Sequence, residues 1–433
     1  MTIIETVDTK PPPVEANTVS TSSIASQTII TPVQAIDEAT AQIEPALYTV
    51  NRTIYDHPEL CYEEVTAHDT IVAFLRSLGH AVTEHAYDIS TSFEAVFEQG
   101  TGGREVVFNA EYDALPGIGH ACGHNLIAIS GLVAYFSLCS ALKASPAANG
   151  RVRILGTPAE EGGAGKVKLL NAGAYKGADV CLMAHPSSSS THGPPEFTGT
   201  AGFATIARTA VVADFYGVPA HAGGNPWDGV NALDALVSAY TSVAMLRQQI
   251  RPEQRIHVCI LHAPKVGNVI PPHTRVQFAT RSPTYGGAQA LQDKVIKCLE
   301  GGALATGCTV KCEEELPYLD TRLNPTLNER YVANMARYGE HIRVAADEPM
   351  SASTDMGNVT YVMPGLHAFF GIPCPDDVSG HHPSFTAAAG TDEAFASAVR
   401  CGKGLALTGW DVMMDDKVME RAKVDFEKDK MMR

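Results

Sequence analysis

Two strings hold most of the residues able to do chemistry. One is Glu111-Tyr112-Asp113-Ala114-Leu115-Pro116-Gly117-Ile118-Gly119-His120-Ala121-Cys122-Gly123-His124-Asn125. The other is Thr157-Pro158-Ala159-Glu160-Glu161-Gly162-Gly163, and Met183-Ala184-His185-Pro186 adds a further histidine. Thiolate, imidazole and carboxylate are donors that zinc and manganese accept. A two-metal hydrolytic site needs about five or six such groups, with positions left open for water and substrate. One more carboxylate must stay unligated to take a proton from the attacking water. Glu160 and Glu161 divide these tasks if one ligates and the other is the base. On an extended strand end they would point to opposite sides, so a turn at Gly162-Gly163 is expected to bring both inward.

Each residue alone has a plainer reading. A buried Cys is usually an inert small hydrophobe, a His before Pro is commonly satisfied within its loop, and adjacent glutamates are ordinarily solvated. Their position at the ends of successive apolar runs favours a site. Residues 104–113, 151–160 and 178–185 read as buried strands, with helical stretches at 125–142 and 165–172 between them. This alternation predicts an α/β layer with a largely parallel sheet. Ligands in such sheets bind beyond the carboxyl ends of the strands. Cys122, His124, Glu160, Glu161 and His185 are therefore expected on one rim.

The middle of the chain has a different order. Strands are expected at 204–216, 255–261 and 275–281, helices at 229–249 and 288–299, and a closing strand near 308–314. The order β, α, β, β, α, β suits a small α+β unit of the split-βαβ kind. Helices at 35–55 and 66–78 precede the first strands, and an alanine-rich helix at 391–407 comes last. Residues 1–33, rich in Thr, Ser and Pro, read as a flexible tail. The predicted organisation is a catalytic metal-binding domain built from 34–202 and 316–433, interrupted by an inserted lid or dimerisation domain at 203–315.

Composition bounds the partners. The chain has 433 residues, 45% hydrophobic and 18% charged, which fits a two-domain globular protein. A net charge of −16 argues against nucleic-acid binding. No apolar run is evident that approaches the roughly 18 residues of a membrane span, and the N-terminus lacks the pattern of a signal peptide. Ten scattered cysteines, none in a CxxC pair, read as reduced thiols. The expectation is a cytoplasmic protein without membrane or nucleic-acid partners.

At these residues the sequence resembles the co-catalytic metal aminoacylases and carboxypeptidases of peptidase family M20, most of all the amidohydrolase branch. The likeness runs over residues 57 to 407. It rests on His57-Pro58-Glu59-Leu60 followed by Glu63, on Cys122-Gly123-His124 and on Glu160-Glu161-Gly162. The resemblance implies two divalent ions, zinc or manganese, held by Cys122, His124, Glu161 and His185, with Glu160 as general base. The last ligand would lie in Gly380-His381-His382-Pro383-Ser384-Phe385, where His381 fits the family's His-x-Pro-x-Phe pattern and His382 is the alternative. Gly217-Val218-Pro219-Ala220-His221-Ala222-Gly223 is similar to the lid motif. That likeness implies that His221 stabilises the oxyanion, commonly across a dimer interface. Asn268 and Arg281 match substrate-binding positions, and the planar fork of Arg suits a carboxylate. Asn125 and Ser353-Thr354-Asp355-Met356-Gly357 look like aminobenzoyl-glutamate-like and β-alanyl-dipeptide-like members.

The expected activity is metal-dependent hydrolysis of the amide bond in a small N-acyl amino acid, aryl-amide or dipeptide-like substrate, carried out by a homodimer. Competing readings are an amide-forming enzyme using the same site and a non-catalytic binding protein that keeps the fold. A cysteine hydrolase built on Cys122 and His124 would also need an orienting Asp, and none is apparent beside them.

Overall fold

The computed structural model describes residues 30–375 and 378–432. The Thr31 hydroxyl accepts the Gln34 N–H, and the Gln34 side chain accepts the Thr31 N–H in return. This capping box, with Pro32 in the first turn, starts helix α1 (Pro32–Asp56). The helix thus begins inside the stretch expected to be tail, whose residues 1–29 lie outside the described residues.

Helix α2 (Val65–Ser77) leads to strands β1 (Val82–Glu84), β2 (Phe93–Gln99) and β3 (Arg104–Ala110). Then come α3 (His124–Lys143), β4 (Gly150–Gly156), α4 (Gly165–Asn171), β5 (Val180–Ser188) and β6 (Gly199–Thr200). The middle holds β7 (Ala207–Tyr216), α5 (Ala232–Leu246), β8 (Arg255–His262), β9 (His273–Ser282), α6 (Tyr285–Thr306) and β10 (Thr309–Glu314). The chain continues through α7 (Pro325–Met335), β11 (Ile342–Arg343), α8 (Met356–Thr360) and β12 (Gly365–Ile372). It closes with α9 (Pro383–Ala389), α10 (Asp392–Met414) and α11 (Asp416–Lys430).

Eight strands form a mixed sheet in the order β1-β2-β4-β3-β5-β12-β6-β11. Its centre, β4-β3-β5-β12, is parallel throughout, with antiparallel pairings at β1-β2, β2-β4 and β12-β6. Period-two alternation sends Val106 and Phe108 into a core with α1, α3 and α10. Val107, Leu155, Cys181 and Met183 face the other side, where Leu169 of α4 and Met356 and Val359 of α8 cover them. This is the α/β architecture anticipated from the alternation of runs. β12 was not among the expected strands. His367 interrupts its short apolar run, and only pairing along β5 reveals it.

Helix α3 is long and apolar enough to cross a bilayer, with mean hydropathy 1.8, so the expectation that no stretch reaches that length was wrong. Its window is 94% buried inside the protein. An all-round apolar helix of this kind is the central helix of a large core.

Strands β7 to β10 form a separate antiparallel sheet in the order β10-β7-β9-β8. Its own core, with Val211, Phe215, Leu236, Phe278 and Leu299, is closed by α5 and α6.

One buried ionic knot joins the elements beneath the rim of the large sheet. Lys166, in the first turn of α4, has no exposed surface. Its Nζ lies 2.5 Å from Glu111 Oε1, just past β3, and 2.5 Å from Asp355 Oδ1, just before α8. Asp355 Oδ2 also accepts the Lys166 backbone N–H at 2.8 Å. Burial opposes charge on Lys166, yet Asp355 and Glu111 hold its ammonium well above the ordinary range. Removing one partner of such a cluster leaves buried charge uncompensated. Lys166→Met is expected to lower the unfolding free energy of metal-stripped protein by about 3–5 kcal/mol, measured as a shift in the urea transition. An unchanged midpoint would show that Glu111 and Asp355 find other partners.

Candidate metal centre

The ligand-type residues leave the sheet at the carboxyl ends of neighbouring strands. Glu111 and Asp113 follow β3, Glu160 and Glu161 follow β4, and His185 lies in β5. Gly123 stands between Cys122 and the first residue of α3 at φ +75°. A Cβ there would come within 2.6 Å of the Pro186 ring, so only glycine lets the chain pass so close to β5.

His124 is fixed from behind. Its Nδ1 lies 3.0 Å from Asp113 Oδ1, which leaves Nε2 facing the hollow. Nε2 is 3.5 Å from Glu111 Oε2 and 3.8 Å from Glu161 Oε1. Cys122 Sγ lies 3.4 Å from His185 Nε2, and His381 Nε2 lies 3.3 Å from Glu161 Oε1. Three overlapping groups have ligand atoms within 4.8 Å of one another: Cys122, His124 and His185; Cys122, Glu161 and His381; and His124, Glu160 and Glu161. The five residues expected as ligands and the expected base therefore fall in one cluster. The neighbouring histidines part ways at the last position. His381 faces Glu161, whereas the His382 Nδ1 accepts the Ser384 N–H and caps α9.

The turn carrying the two glutamates spans residues 160–163, closed by the Gly163 N–H on the Ala159 carbonyl at 3.0 Å, and so includes the expected glycines. The left-handed residues are not Gly162 and Gly163 but Ala159 at φ +60° and Ala164 at φ +53°. Each such alanine costs about 1–2 kcal/mol, so surrounding bonds must hold it. Ala159 N–H donates to Glu64 Oε1 at 2.8 Å, and Glu161 N–H donates to Asp113 Oδ2 at 2.9 Å. The Tyr318 hydroxyl donates to the Glu160 carbonyl at 2.7 Å and accepts the Ala164 N–H. A Cβ at Gly165 would lie 1.8 Å from the Pro158 carbonyl, so the exit from the turn demands glycine. Asp113, Glu64, Tyr318 and Lys166 went unassigned in the sequence. The partners of Glu64, Tyr318 and Lys166 lie far along the chain, and Asp113 meets His124 from within one string.

The two adjacent glutamates are driven apart electrostatically. Burial, then Glu111, Glu161 and Asp355, push the Glu160 carboxyl well above its ordinary range. Burial acts the same way on Glu161, but the His381 hydrogen bond and the His124 charge outweigh it and hold Glu161 low. Environments that separate two carboxyls in this way mark acid and base assignments. Burial raises the Cys122 thiol well above its ordinary range, and Glu161 adds to the effect. Asp113 does orient His124, so the missing-Asp objection to a cysteine nucleophile was wrong. The raised thiol instead weighs against that reading.

The residues present fit divalent cations. His124 Nε2 and Glu111 Oε2 are buried without a hydrogen-bond partner in a hollow rich in carboxylates. The donor set of thiol, imidazoles and carboxylate is that of zinc-type sites, and the Asp113–His124 pair supplies outer support to a ligand.

The three remaining expected residues belong to the four-stranded layer. Arg281, near the end of β9, donates to Ser353 Oγ at 2.9 Å, two residues before Asp355. Glu160 is close enough to favour the charge on Arg281, while burial and Arg208 oppose it. His221 sits on an exposed loop, where its Nδ1 accepts the N–H groups of Gly223 and Gly224. The Asn268 carbonyl accepts the Ala222 N–H at 3.1 Å, so Asn268 and His221 share one loop cluster. Among the described residues, no hydrogen bond or ion pair joins either to the metal-type cluster.

The model of Peptidase family M20/M25/M40 matches residues 107–407. The chain is 38% identical over 408 residues to the Xaa-Arg dipeptidase of Mus musculus, covering 91% of each chain. In fold it is similar to an aminobenzoyl-glutamate utilization protein from Klebsiella pneumoniae, with TM-score 0.69 and 21% identity over 86% of this chain and 98% of that one. It is also similar to a dinuclear metal-binding peptidase of family M20 from Bacillus subtilis, with TM-score 0.60 and 20% identity over 85% and 98% of the chains. Sequence, fold and the cluster beyond β3, β4 and β5 agree: this chain belongs to Peptidase family M20/M25/M40 and is an amide-bond hydrolase.

Proposed function

We propose that this protein hydrolyses dipeptides or N-acyl amino acids whose scissile amide lies next to a free carboxylate. The observation that carries the reading is Glu160, a buried carboxyl packed with His124 and Glu161 and held toward its protonated form. Cys122, His124, Glu161, His185 and His381 would hold two divalent ions, whose Lewis acidity polarises the carbonyl and acidifies water. The thiolate of Cys122 favours zinc over manganese. The naming of a similar Bacillus subtilis peptidase as dinuclear supports the count of two.

Glu160 takes the proton of the attacking water and returns it to the leaving nitrogen. Arg281 pairs with the substrate carboxylate, which places the amide beside Glu160. The mouse relative's name, Xaa-Arg dipeptidase, makes dipeptides ending in arginine the first substrates to test.

His221 hydrogen-bonds the developing oxyanion, and a second copy of the chain supplies it. Two features support a homodimer. β8 is an edge strand whose Ile260 and Leu261 are 52% and 50% exposed. Helix α5 of the same layer exposes Val237, Tyr240 and Met245. A bare apolar edge of this kind invites pairing with another copy.

Chelation is expected to abolish cleavage, and zinc or manganese to restore it at about two ions per chain. Glu160→Gln should lower kcat by about 10²–10⁴-fold with both ions retained by elemental analysis. Near-normal turnover of that variant would refute the assignment of the base. Mixing inactive Glu160→Gln with inactive His221→Ala subunits should restore about a quarter of wild-type activity, because each mixed C2 dimer keeps one intact site. If the mixture only averages its parents, His221 serves its own subunit.

A further inference from the structure

We propose that Glu64 is a positioning residue for catalysis: its buried carboxylate holds Ala159 in the left-handed conformation that aims Glu160 and Glu161 into the hollow. The inference rests on Glu160 being the base.

Glu64 has no exposed surface. One carboxylate oxygen accepts the Ala159 N–H at 2.8 Å, and the other accepts the Thr91 hydroxyl at 2.8 Å. Both oxygens are thus spent on orientation, one gripping the turn and one fixing the grip. The base of this arm is rigid. Glu64 is the residue before α2, whose first turn is pinned by Glu59 accepting the N–H groups of Thr66 and Ala67 at 2.8 and 3.0 Å. The His68 N–H donates to the Glu64 carbonyl at 3.0 Å.

The object held is also specific. Ala159 is a non-glycine residue at φ +60°, directly before the two glutamates. If it relaxed to a right-handed or extended conformation, the chain beyond it would rotate and carry Glu160 away from His124. A carboxylate is costly to bury, and among the described residues no hydrogen bond or ion pair joins this one to Cys122, His124, Glu160, Glu161, His185 or His381. Bonds from Asp113 and Tyr318 secure the next two residues, so Glu64 completes a row of supports under 159–161.

The test uses the zinc-reconstituted full chain with an alanyl-arginine dipeptide, reading kcat, KM and metal content. Glu64→Ala is expected to lower kcat by about 10–100-fold, the scale of a small misplacement of a catalytic group, with KM within about threefold and both ions retained. Glu64→Gln should keep kcat within about threefold, because its amide oxygen still accepts the Ala159 N–H. Glycine adopts the left-handed conformation unaided. Adding Ala159→Gly to Glu64→Ala should therefore recover about tenfold in kcat. A role in core packing alone gives no such rescue. If Glu64→Ala does not fold, Thr91→Val, which loosens the same carboxylate, is compared with and without Ala159→Gly. Wild-type kcat in Glu64→Ala or Thr91→Val, or failure of Ala159→Gly to rescue a folded, metal-loaded variant, overturns the proposal. Glu160→Gln is measured alongside. Activity in that variant refutes the base itself, whereas an inactive Glu160→Gln beside a fully active Glu64→Ala refutes only the positioning role.

Discussion

Burying carboxylates around one hollow is the constraint to which the rest of the molecule answers. Glu111, Asp113, Glu160 and Asp355 are buried, Glu161 is nearly so, and Lys166 is the ammonium packed among them. Each charge taken from water needs a partner or must be neutralised. Asp113 is matched by His124 and by the Glu161 N–H, Glu111 and Asp355 by Lys166, and Glu161 by His381. Among the described residues Glu160 makes no ion pair, and burial and the neighbouring carboxylates push its carboxyl up despite the opposing charge of His124. The acid–base role proposed for Glu160 thus rests on how the other charges are satisfied. The same excess of negative charge makes the hollow a natural seat for divalent cations.

Electrostatics alone would not aim the groups. They come from the ends of adjacent parallel strands, where an α/β sheet leaves a crevice. The strand ends set the spacing, but the final orientation depends on backbone that local preference does not favour. Ala159 and Ala164 sit in the left-handed region, and His381 does so at φ +67°. Strain of this kind persists only where several bonds over-determine it. Glu64, Asp113 and Tyr318 supply those bonds from three different parts of the chain.

Of the three residues of the four-stranded layer expected at the site, Arg281 lies beside the centre. Arg281 touches it from within one chain, through Ser353 and the segment leading to Asp355. The loops of His221 and Asn268, beyond β7 and between β8 and β9, are joined by the bond from the Ala222 N–H to the Asn268 carbonyl. Arg281 and the His221 and Asn268 loops thus lie toward opposite ends of one small sheet.

The sequence by itself determined the pieces that depend on short-range pattern. Apolar runs and their alternation placed β3, β4, β5 and the β7-α5-β8-β9-α6-β10 unit within a few residues, save that α6 runs on to Thr306 beyond the expected 299, because periodicity reports which face of an element is buried. Motif order and spacing singled out Cys122, His124, Glu160, Glu161 and His185 as candidates. It favoured His381 over His382 only by likeness to a family pattern, because adjacent histidines have the same chemistry until one faces Glu161 and the other caps a helix. It missed β12, whose apolar run His367 interrupts, and it placed the turn at the glycines without showing that Ala159 before them is left-handed. Lys166, Asp355, Asp113 and Glu64 gained their roles only in the tertiary structure. Their contacts join residues 11 to 189 positions apart. The energy of such pairing arises from the removal of water, and no water is removed until the distant partners have folded together.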